Sequence, residues 1–212
     1  VQAAFSAAGD GGRVRLEGSY LVTSTILHRG GITIDGDGEI IVGDNAGPAV
    51  LNLEVTPLAE LAVAAVDNAA VAIFSGNQNT TSDCARITLA APSTVLRPGA
   101  VAKLMSTDQQ AGLEPGKGRG EFVHIQAVEG NGTIAVTTAR LANAYLTGIK
   151  LVILDPAKVI DVAGIRFRTT SFDTAVAQNW AFAFLRIFGA VAPSVRGARM
   201  RAGTVIPVRF QA

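Results

Sequence analysis

Cysteine and histidine are scarce in this chain, whose 212 residues include one cysteine, Cys84, and two histidines, His28 and His124. A single cysteine permits no internal disulfide. Together with only two histidines, it cannot assemble a Cys/His zinc site. We therefore expect no metal and no cofactor, and we interpret Cys84 as a small core residue.

Charge of one sign is not in excess, because 18 Lys and Arg residues oppose 17 Asp and Glu residues for a net charge of +1. Nucleic-acid-binding proteins usually carry a clear basic excess, so this balance argues against a nucleic-acid partner. Long hydrophobic runs are also missing. The most apolar stretches are residues 51–74, which three acidic side chains interrupt, and the short segment 180–191. Neither supplies the roughly 20 uninterrupted apolar residues of a membrane-spanning helix, so we expect a soluble protein without membrane insertion, and we recognise no signal peptide.

What the sequence does contain is a two-residue alternation from Gly12 to Val42. Apolar side chains fall at even positions and polar ones mostly at odd positions, with glycines at intervals. The apolar members are Val14, Leu16, Tyr20, Val22, Ile26, Ile32, Ile34, Ile40 and Val42. This period is typical of β-strands with one buried face. The apolar side chains stay at even positions through several glycine corners, and no long connection separates the segments. This pattern predicts short strands that coil around one core, as in a parallel β-helix.

Residues 1–9 favour a short amphipathic helix that ends at the glycines after Ala8. This helix, the Gly11-Gly12 pair and the sequence RVRLEGSYLVTSTILHRGGITIDGDG (residues 13–38) resemble the first coil of the pectate-lyase-like right-handed parallel β-helix superfamily. That superfamily includes polysaccharide lyases and hydrolases as well as phage tailspikes. The resemblance implies that a helix caps the first coil and that glycan sites lie on the outer face or between subunits.

The expected fold is all-β: a right-handed parallel β-helix of few coils in one domain, residues 1–212, with a short N-terminal capping helix over residues 1–9. Residues 43–84 show no consistent period, and we expect an irregular excursion there. We expect residues 99–152 to form an inserted antiparallel hairpin flap, because the Asn131-Gly132 turn signal separates two alternating segments. This segment resembles a flap inserted between early coils of tailspike-like β-helices.

An internal repeat supplies the candidate site. Residues 162–168 and 195–201 share the pattern apolar, any residue, Gly, apolar, Arg, apolar, Arg, and residues 31–35 form a weaker third copy. Self-similarity of this kind indicates stacked structural units. Stacking would place four arginines side by side on the outer face: Arg166, Arg168, Arg199 and Arg201. Neighbouring strands lie about 4.8 Å apart, so such pairs repel unless an anion or a row of carboxylates lies across them.

The sequence allows two interpretations of these arginines. They could bind the acidic groups of a bacterial surface polysaccharide through guanidinium forks. They could instead be neutralised by the protein's own Asp155, Asp161 or Asp173, or by a neighbouring subunit. Trp180 is a further candidate glycan contact, although its alternating surroundings also fit a core strand.

The sequence leaves the question of enzymatic activity open. Glycan hydrolysis needs two carboxylates about 5 to 9.5 Å apart, and neighbouring coils could supply them. The chain contains no Asp-Asp pair, no Gly-x-Ser-x-Gly elbow and no His-Glu-x-x-His motif. We therefore assign no catalytic residue, and we interpret His124 as an ordinary polar strand residue.

The expected function is that of a phage tailspike-like or tail-fibre-like virion protein that provides structural projection and recognises a host surface polysaccharide. Its expected location is the virion tail. The apolar segment 205–210 would leave an open last coil, so we expect either that the natural chain continues beyond Ala212 or that subunits associate as a homotrimer or a larger assembly. The alternatives are a secreted pectate-lyase-like polysaccharide lyase or hydrolase, and a purely structural virion adaptor.

Overall fold

A computed structural model of the chain describes residues 1–43, 49–68, 71–73, 81–109, 118–169, 183–201 and 206–211. These residues form α1 (Gln2–Ala8), β1 (Gly12–Leu16), β2 (Ser19–Val22), β3 (Ile26–Arg29), β4 (Ile32–Gly36), β5 (Glu39–Val42), β6 (Ala49–Glu54), β7 (Ala59–Asp67), β8 (Val71–Ile73), β9 (Thr81–Asp83), β10 (Arg86–Leu89), β11 (Val101–Gln109), β12 (Gly118–Glu129), β13 (Ile134–Thr137), β14 (Lys150–Ile153), β15 (Ile160–Ala163), β16 (Arg166–Thr169), β17 (Ala183–Phe188), β18 (Ser194–Arg196), β19 (Arg199–Arg201) and β20 (Ile206–Gln211). A 3-10 turn, Gly130–Gly132, separates β12 from β13. No helix within these ranges is both long enough and apolar enough to cross a membrane.

The chain divides into two compact units. The first combines Val1–Thr56 with Asp155–Ala212 and contains α1, β1 to β6 and β15 to β20. The second is Pro57–Leu154 and contains β7 to β14. The second unit is therefore inserted in sequence between β6 and β15 of the first.

Three parallel four-stranded sheets build the first unit. Their strand orders are β1-β4-β15-β18 in the first sheet, β2-β5-β16-β19 in the second and β3-β6-β17-β20 in the third. Successive strands along the chain pass from one sheet to the next, so each sheet receives one strand from each pass. The register keeps like residues together, with Val14 opposite Ile34, and Ile34 and Val195 both opposite Val162.

The buried faces of these sheets share one apolar core, and its members between Val14 and Val42 sit at the alternating positions that the sequence predicted. Ile34, Ile40 and Leu51 are completely buried, and Ile32 and Phe167 are 1% exposed. Between Gly12 and Val42, two-residue alternation therefore assigns the strands their inward face correctly, since side chains in a strand point to opposite sides.

The helix predicted for residues 1–9 forms over Gln2–Ala8 and lies against β1 and β3. Its Phe5 is fully buried in the core of the first unit. The Gln2 amide pairs with the main chain of Leu27 in both directions: Nε2 donates to the carbonyl oxygen at 2.9 Å, and the Leu27 N–H donates to Oε1 at 3.0 Å. Because β3 is the edge strand of the third sheet, this contact occupies hydrogen-bonding groups that a sheet edge would otherwise leave open.

A closed antiparallel barrel builds most of the second unit. Its strands follow the order β10-β13-β12-β11-β14-β7, while β8 and β9 form a separate antiparallel pair. The barrel has its own apolar core, whose largest fully buried members include Ile87, Leu104, Ile125 and Leu151. Cys84 is fully buried, which confirms its prediction as a core residue.

The predicted all-β class is correct, but the predicted single right-handed β-helix with a hairpin flap is wrong. The parallel strands form three separate sheets, and a closed six-stranded antiparallel barrel replaces the flap. Residues 99–152, expected to form that flap, supply β11 to β14 of this barrel. A hairpin leaves two exposed edges, whereas closure with β7 and β10 pairs every edge and encloses a second core.

Candidate functional site

The two arginine-containing repeats form adjacent parallel strands. β16 pairs with β19 so that Arg166 lies opposite Arg199 and Arg168 opposite Arg201, which confirms the register predicted from the repeat. Phe167 between the two arginines of β16 is 1% exposed, whereas Arg166 and Arg199 are exposed. These positions therefore belong to the outward face of the second sheet. We call the four positions Arg166, Arg168, Arg199 and Arg201 the arginine ladder.

The weaker third copy of the repeat does not belong to this ladder. Residues 31–35 contribute to β4 in the first sheet, so the prediction that they stack with the other copies is wrong. The strand next to β16 is instead β5, which places Glu39 opposite Arg166 and Ile41 opposite Arg168. The ladder consequently has a carboxylate on one flank.

The arginines of β16 are held by neighbours from the preceding pass of the chain. Arg166 donates from Nε and Nη2 to the carbonyl oxygen of Asp37, at 3.1 and 2.5 Å. Arg168 faces Glu39 with Nε 3.4 Å from Oε1 and Nη2 3.4 Å from Oε2. A carbonyl fixes the orientation of Arg166 but leaves its full charge, whereas a carboxylate neutralises Arg168.

Arg199 differs from these two residues, because its exposed side chain contacts no carboxylate within the described ranges. For Arg201 the structure describes only the backbone pairing with Arg168. Trp180, the predicted aromatic glycan contact, lies outside the described residues. The ladder is thus defined by Arg166, Arg168 and Arg199 and by the position of Arg201.

The aspartates expected to neutralise the ladder have other partners where they are described. Asp161 accepts a hydrogen bond from Arg196 on β18, with Nη2 and Oδ2 2.7 Å apart. Asp155 accepts the main-chain N–H of Ala157 at 3.0 Å. Asp173 lies outside the described residues. In the described structure, Glu39 therefore supplies the carboxylate for the ladder.

A further in-register arginine pair, which the sequence analysis missed, lies on the third sheet. β17 pairs with β20 so that Arg186 lies opposite Arg209, with Asn52 of β6 on the other side of Arg186. The Nε atom of Arg186 is buried without a hydrogen-bond partner. The segments Leu185-Arg186-Ile187 and Val208-Arg209-Phe210 repeat the order apolar, Arg, apolar. This short similarity is the sequence signal that could have predicted the pair.

The distribution of charge along the chain is a second signal that the overall balance conceals. Residues 156–212 contain eight Lys and Arg side chains against two Asp, a net charge of +6. Residues 1–155 contain ten Lys and Arg against fifteen Asp and Glu, a net charge of −5. A charge asymmetry between the two parts of a chain is a sequence signal that a near-zero total conceals. The structure places most of the C-terminal arginines on β16 to β20.

The ladder is not accompanied by a metal-binding cluster in the described ranges. No group of three or more His, Cys, Asp or Glu side chains there could hold a metal ion. The barrel carboxylates Asp108 and Glu121 accept main-chain and hydroxyl hydrogen bonds from residues 142–147. His124 is exposed on β12.

The fold resembles that of a solved phage tailspike. The tailspike protein gp49 from Pseudomonas phage LKA1 matches this chain with a TM-score of 0.65 and 18% identity, over 99% of this chain and 32% of that protein. The gp54 tailspike of Acinetobacter baumannii bacteriophage AP22, solved in complex with A. baumannii capsular saccharide, matches with a TM-score of 0.47 and 14% identity, over 94% of this chain and 31% of that protein. No protein-family model matches the chain, and a comparison with curated proteins finds no match.

The similarity to the LKA1 tailspike shows that the chain has a tailspike-like fold. The chain spans 32% of the length of that tailspike.

Proposed function

We propose that this chain is part of a tailspike-like or tail-fibre-like virion protein that projects from a phage particle and recognises an acidic polysaccharide on the host surface. The tailspike-like fold supports the first part of this proposal. The observation that carries the second part is the arginine ladder, in which two arginine pairs are stacked in register beside one described carboxylate.

The spacing of the ladder suits a polymer with repeated acidic groups. The backbones of neighbouring strands lie about 4.8 Å apart, so the guanidinium groups of two directly opposed arginines repel each other. Like charges in such positions destabilise the sheet. A carboxylate between them accepts hydrogen bonds from both and removes the repulsion. Several such contacts along one saccharide chain add to one another, because the sugar units are linked.

Binding to acidic polysaccharides tests this proposal. The Arg166→Ala and Arg199→Ala double variant should bind an acidic capsular polysaccharide at least about tenfold more weakly than the unmodified protein, since it loses two charge-assisted contacts. The matched control is Arg15→Ala, which removes an exposed arginine that pairs with Glu17 on the first sheet. Circular dichroism should show that both variants keep the β structure.

A purely structural adaptor is the second candidate function, favoured by the hydrogen bonds from Arg166 to Asp37 and the ion pair of Arg168 with Glu39. In that case the arginines stabilise the stack of strands and need no external anion. Unchanged polysaccharide binding in the double variant, together with a lower melting temperature, would support the adaptor and overturn recognition by the ladder.

A further inference from the structure

The outward face of the third sheet carries an aromatic ring and a guanidinium group on the same strand. Phe188 on β17 is 37% exposed, whereas Ile187 beside it is 1% exposed and Leu185 is completely buried. Alternation along β17 therefore places Arg186 and Phe188 together on the outward face. Their backbones lie about 6.6 Å apart, because a strand rises about 3.3 Å per residue.

Arg186 keeps an unsatisfied hydrogen-bond donor in this position. Its Nε atom is buried and has no hydrogen-bond partner, and no ion pair in the described part of the chain involves its guanidinium group. Its neighbour in register on β20 is a second basic residue, Arg209. Nearly all buried polar groups in folded proteins are hydrogen-bonded to protein, water or a ligand, so the unpaired Nε calls for an explanation.

An unsatisfied acceptor lies on the neighbouring strand. Asn52 on β6 is directly opposite Arg186, and its Oδ1 atom is also buried without a hydrogen-bond partner. Its Nδ2 atom donates to Glu54 Oε1 at 2.8 Å, which fixes the orientation of the amide. Because a hydroxyl group both donates and accepts, one hydroxyl placed between the two side chains would satisfy Oδ1 and Nε together. The pair therefore suits a ligand that carries hydroxyl groups.

The charges around the ring are arranged with opposite signs on two sides. Glu54 lies directly opposite Phe188, and its Oε2 atom is 3.5 Å from Nε of Arg29. The carboxylate of Glu54 is thus balanced by Arg29 and held by the amide of Asn52. A ligand on the Phe188 ring would direct an acidic group toward Arg186, and its hydroxyl groups toward Glu54.

We propose that Asn52, Arg186 and Phe188, which we call the third-sheet site, bind one carboxylate-bearing sugar unit of an acidic polysaccharide. The C–H face of the pyranose stacks on the Phe188 ring, and the Arg186 guanidinium donates to the sugar carboxylate. The flexible stem of Arg186 turns to admit a sugar hydroxyl, which donates to Asn52 Oδ1 and accepts from Arg186 Nε. Binding then satisfies two buried atoms that the free protein leaves unpaired. This inference rests on the proposed function and adds a saccharide contact on a different sheet from the arginine ladder.

Titration with oligogalacturonate and with oligosialate, two polymers of carboxylate-bearing sugars, tests the third-sheet site. Phe188→Ala should weaken binding to at least one of them about tenfold, because the stacking surface is lost. Phe122→Ala is the matched control, since it removes a 58% exposed phenylalanine from the barrel, and it should leave binding unchanged.

Arg186→Met separates a binding role from a structural one. This variant keeps an apolar stem but removes the charge and the unpaired Nε, so it should weaken binding about tenfold while the melting temperature stays the same or rises. An arginine that only supports the fold would give the opposite result, a lower melting temperature with unchanged binding, and this would overturn the proposal. Arg15→Met, which removes an exposed arginine from the first sheet, is the matched charge control.

The Arg166→Ala and Arg199→Ala double variant distinguishes this site from the ladder. Weaker binding in Phe188→Ala and Arg186→Met, with unchanged binding in the double variant, would support the third-sheet site and overturn recognition by the ladder. The reverse result would overturn the third-sheet site and leave the proposed function intact. Equal affinity for the acidic oligomers and for neutral dextran would overturn the acidic sugar class. An unmodified protein that binds neither acidic oligomer would overturn both sites.

Discussion

Asp108 shows at the scale of one residue how the barrel fixes an exposed loop. Its carboxylate accepts hydrogen bonds from the main-chain N–H of Leu146 at 2.7 Å and from the main-chain N–H of Thr147. It also accepts one from the Thr147 Oγ1 hydroxyl, at 2.5 Å. The hydrogen bond from the Thr147 side chain, followed by that from the Leu146 main chain, holds the pKa of Asp108 far below its ordinary value. The ionised form of Asp108 is therefore part of the folded structure.

The pH dependence of stability follows from the direction of this pKa shift. Because the pKa of Asp108 is lower in the folded protein than in the unfolded chain, its contribution is complete above about pH 4 and is lost as the pH falls toward the folded value. We expect the melting temperature to fall between about pH 4 and pH 2, and to fall less in Asp108→Asn. Thermal unfolding followed by circular dichroism at several pH values checks this.

Thr147→Val provides the graded control for Asp108. This variant removes the hydroxyl donor but keeps the main-chain donors of Leu146 and Thr147, so its acid sensitivity should lie between those of the unmodified protein and Asp108→Asn. If the melting temperature of Asp108→Asn falls in acid as much as that of the unmodified protein, Asp108 is not the source of the acid sensitivity. Asp10, whose pKa is lowered chiefly by its hydrogen bond from Lys158, then becomes the next carboxylate to test.

At the scale of elements, glycines form the corners between the strands of the first and second sheets. Gly164 joins β15 to β16 with φ +76°, and a Cβ atom there would lie 2.3 Å from the carbonyl oxygen of Gly36. Gly18 joins β1 to β2 with the similar φ of +82°, but a Cβ atom there would have no neighbour within 4 Å. The two corners therefore share a backbone conformation and differ in the space around it.

This difference predicts unequal costs for the same substitution. Gly18→Ala should cost about 1 to 2 kcal/mol of unfolding free energy from the left-handed conformation alone. Gly164→Ala should cost roughly 2 kcal/mol more, because the methyl group overlaps the neighbouring carbonyl. Denaturant unfolding of both variants measures the difference, and equal losses would show that the strands separate to accept a methyl group.

Sequence reasoning succeeded at this scale where the evidence was local. Alternation from Val14 to Val42 identified the inward faces of the first strands, and the shared repeat identified the register of Arg166 with Arg199. It failed where pairing depends on distant strands. Residues 31–35 match the repeat in pattern but lie in the sheet of β15 and β18 and not beside the arginines of β16 and β19, because alternation fixes the face of a strand and not its neighbours.

The barrel was missed for the same physical reason. β7 contains four alanines among its nine residues, AELAVAAVD, and so has a weak apolar period. Its place is set by pairing with β10 and β14, which lie far along the chain. The in-register arginine pair of the third sheet was missed because the charge was summed over the whole chain, which hid the basic C-terminal segment.

At the scale of the whole molecule, the two edges of the third sheet are unlike each other. Gln2 occupies main-chain groups of the edge strand β3, whereas β20 forms the opposite edge. Phe210 on β20 is 57% exposed, although Ile187 opposite it on β17 is 1% exposed. Edge strands that present apolar side chains to solvent are prone to pair with other chains.

The homotrimer expected from the sequence therefore stays a prediction with a defined test. If copies of the chain associate through this edge, Phe210→Asp should lower the average mass in sedimentation, because a charge there opposes burial. Leu21→Asp is the control, as Leu21 is 64% exposed on the second sheet, and it should leave the mass unchanged. A protein that sediments as a monomer before either change would contradict self-association.

The inserted barrel has a consequence for how such chains diversify. Its first and last strands, β7 and β14, are hydrogen-bonded neighbours, and the Leu58 N–H donates to the Ile153 carbonyl oxygen at 2.9 Å where the chain enters and leaves. When the two ends of a segment lie side by side, the segment can be lost or replaced without changing the distance that the flanking chain must span. Recombination at codons 57 and 154 would therefore exchange the whole barrel as a cassette while the surrounding gene keeps its reading frame and its strand register.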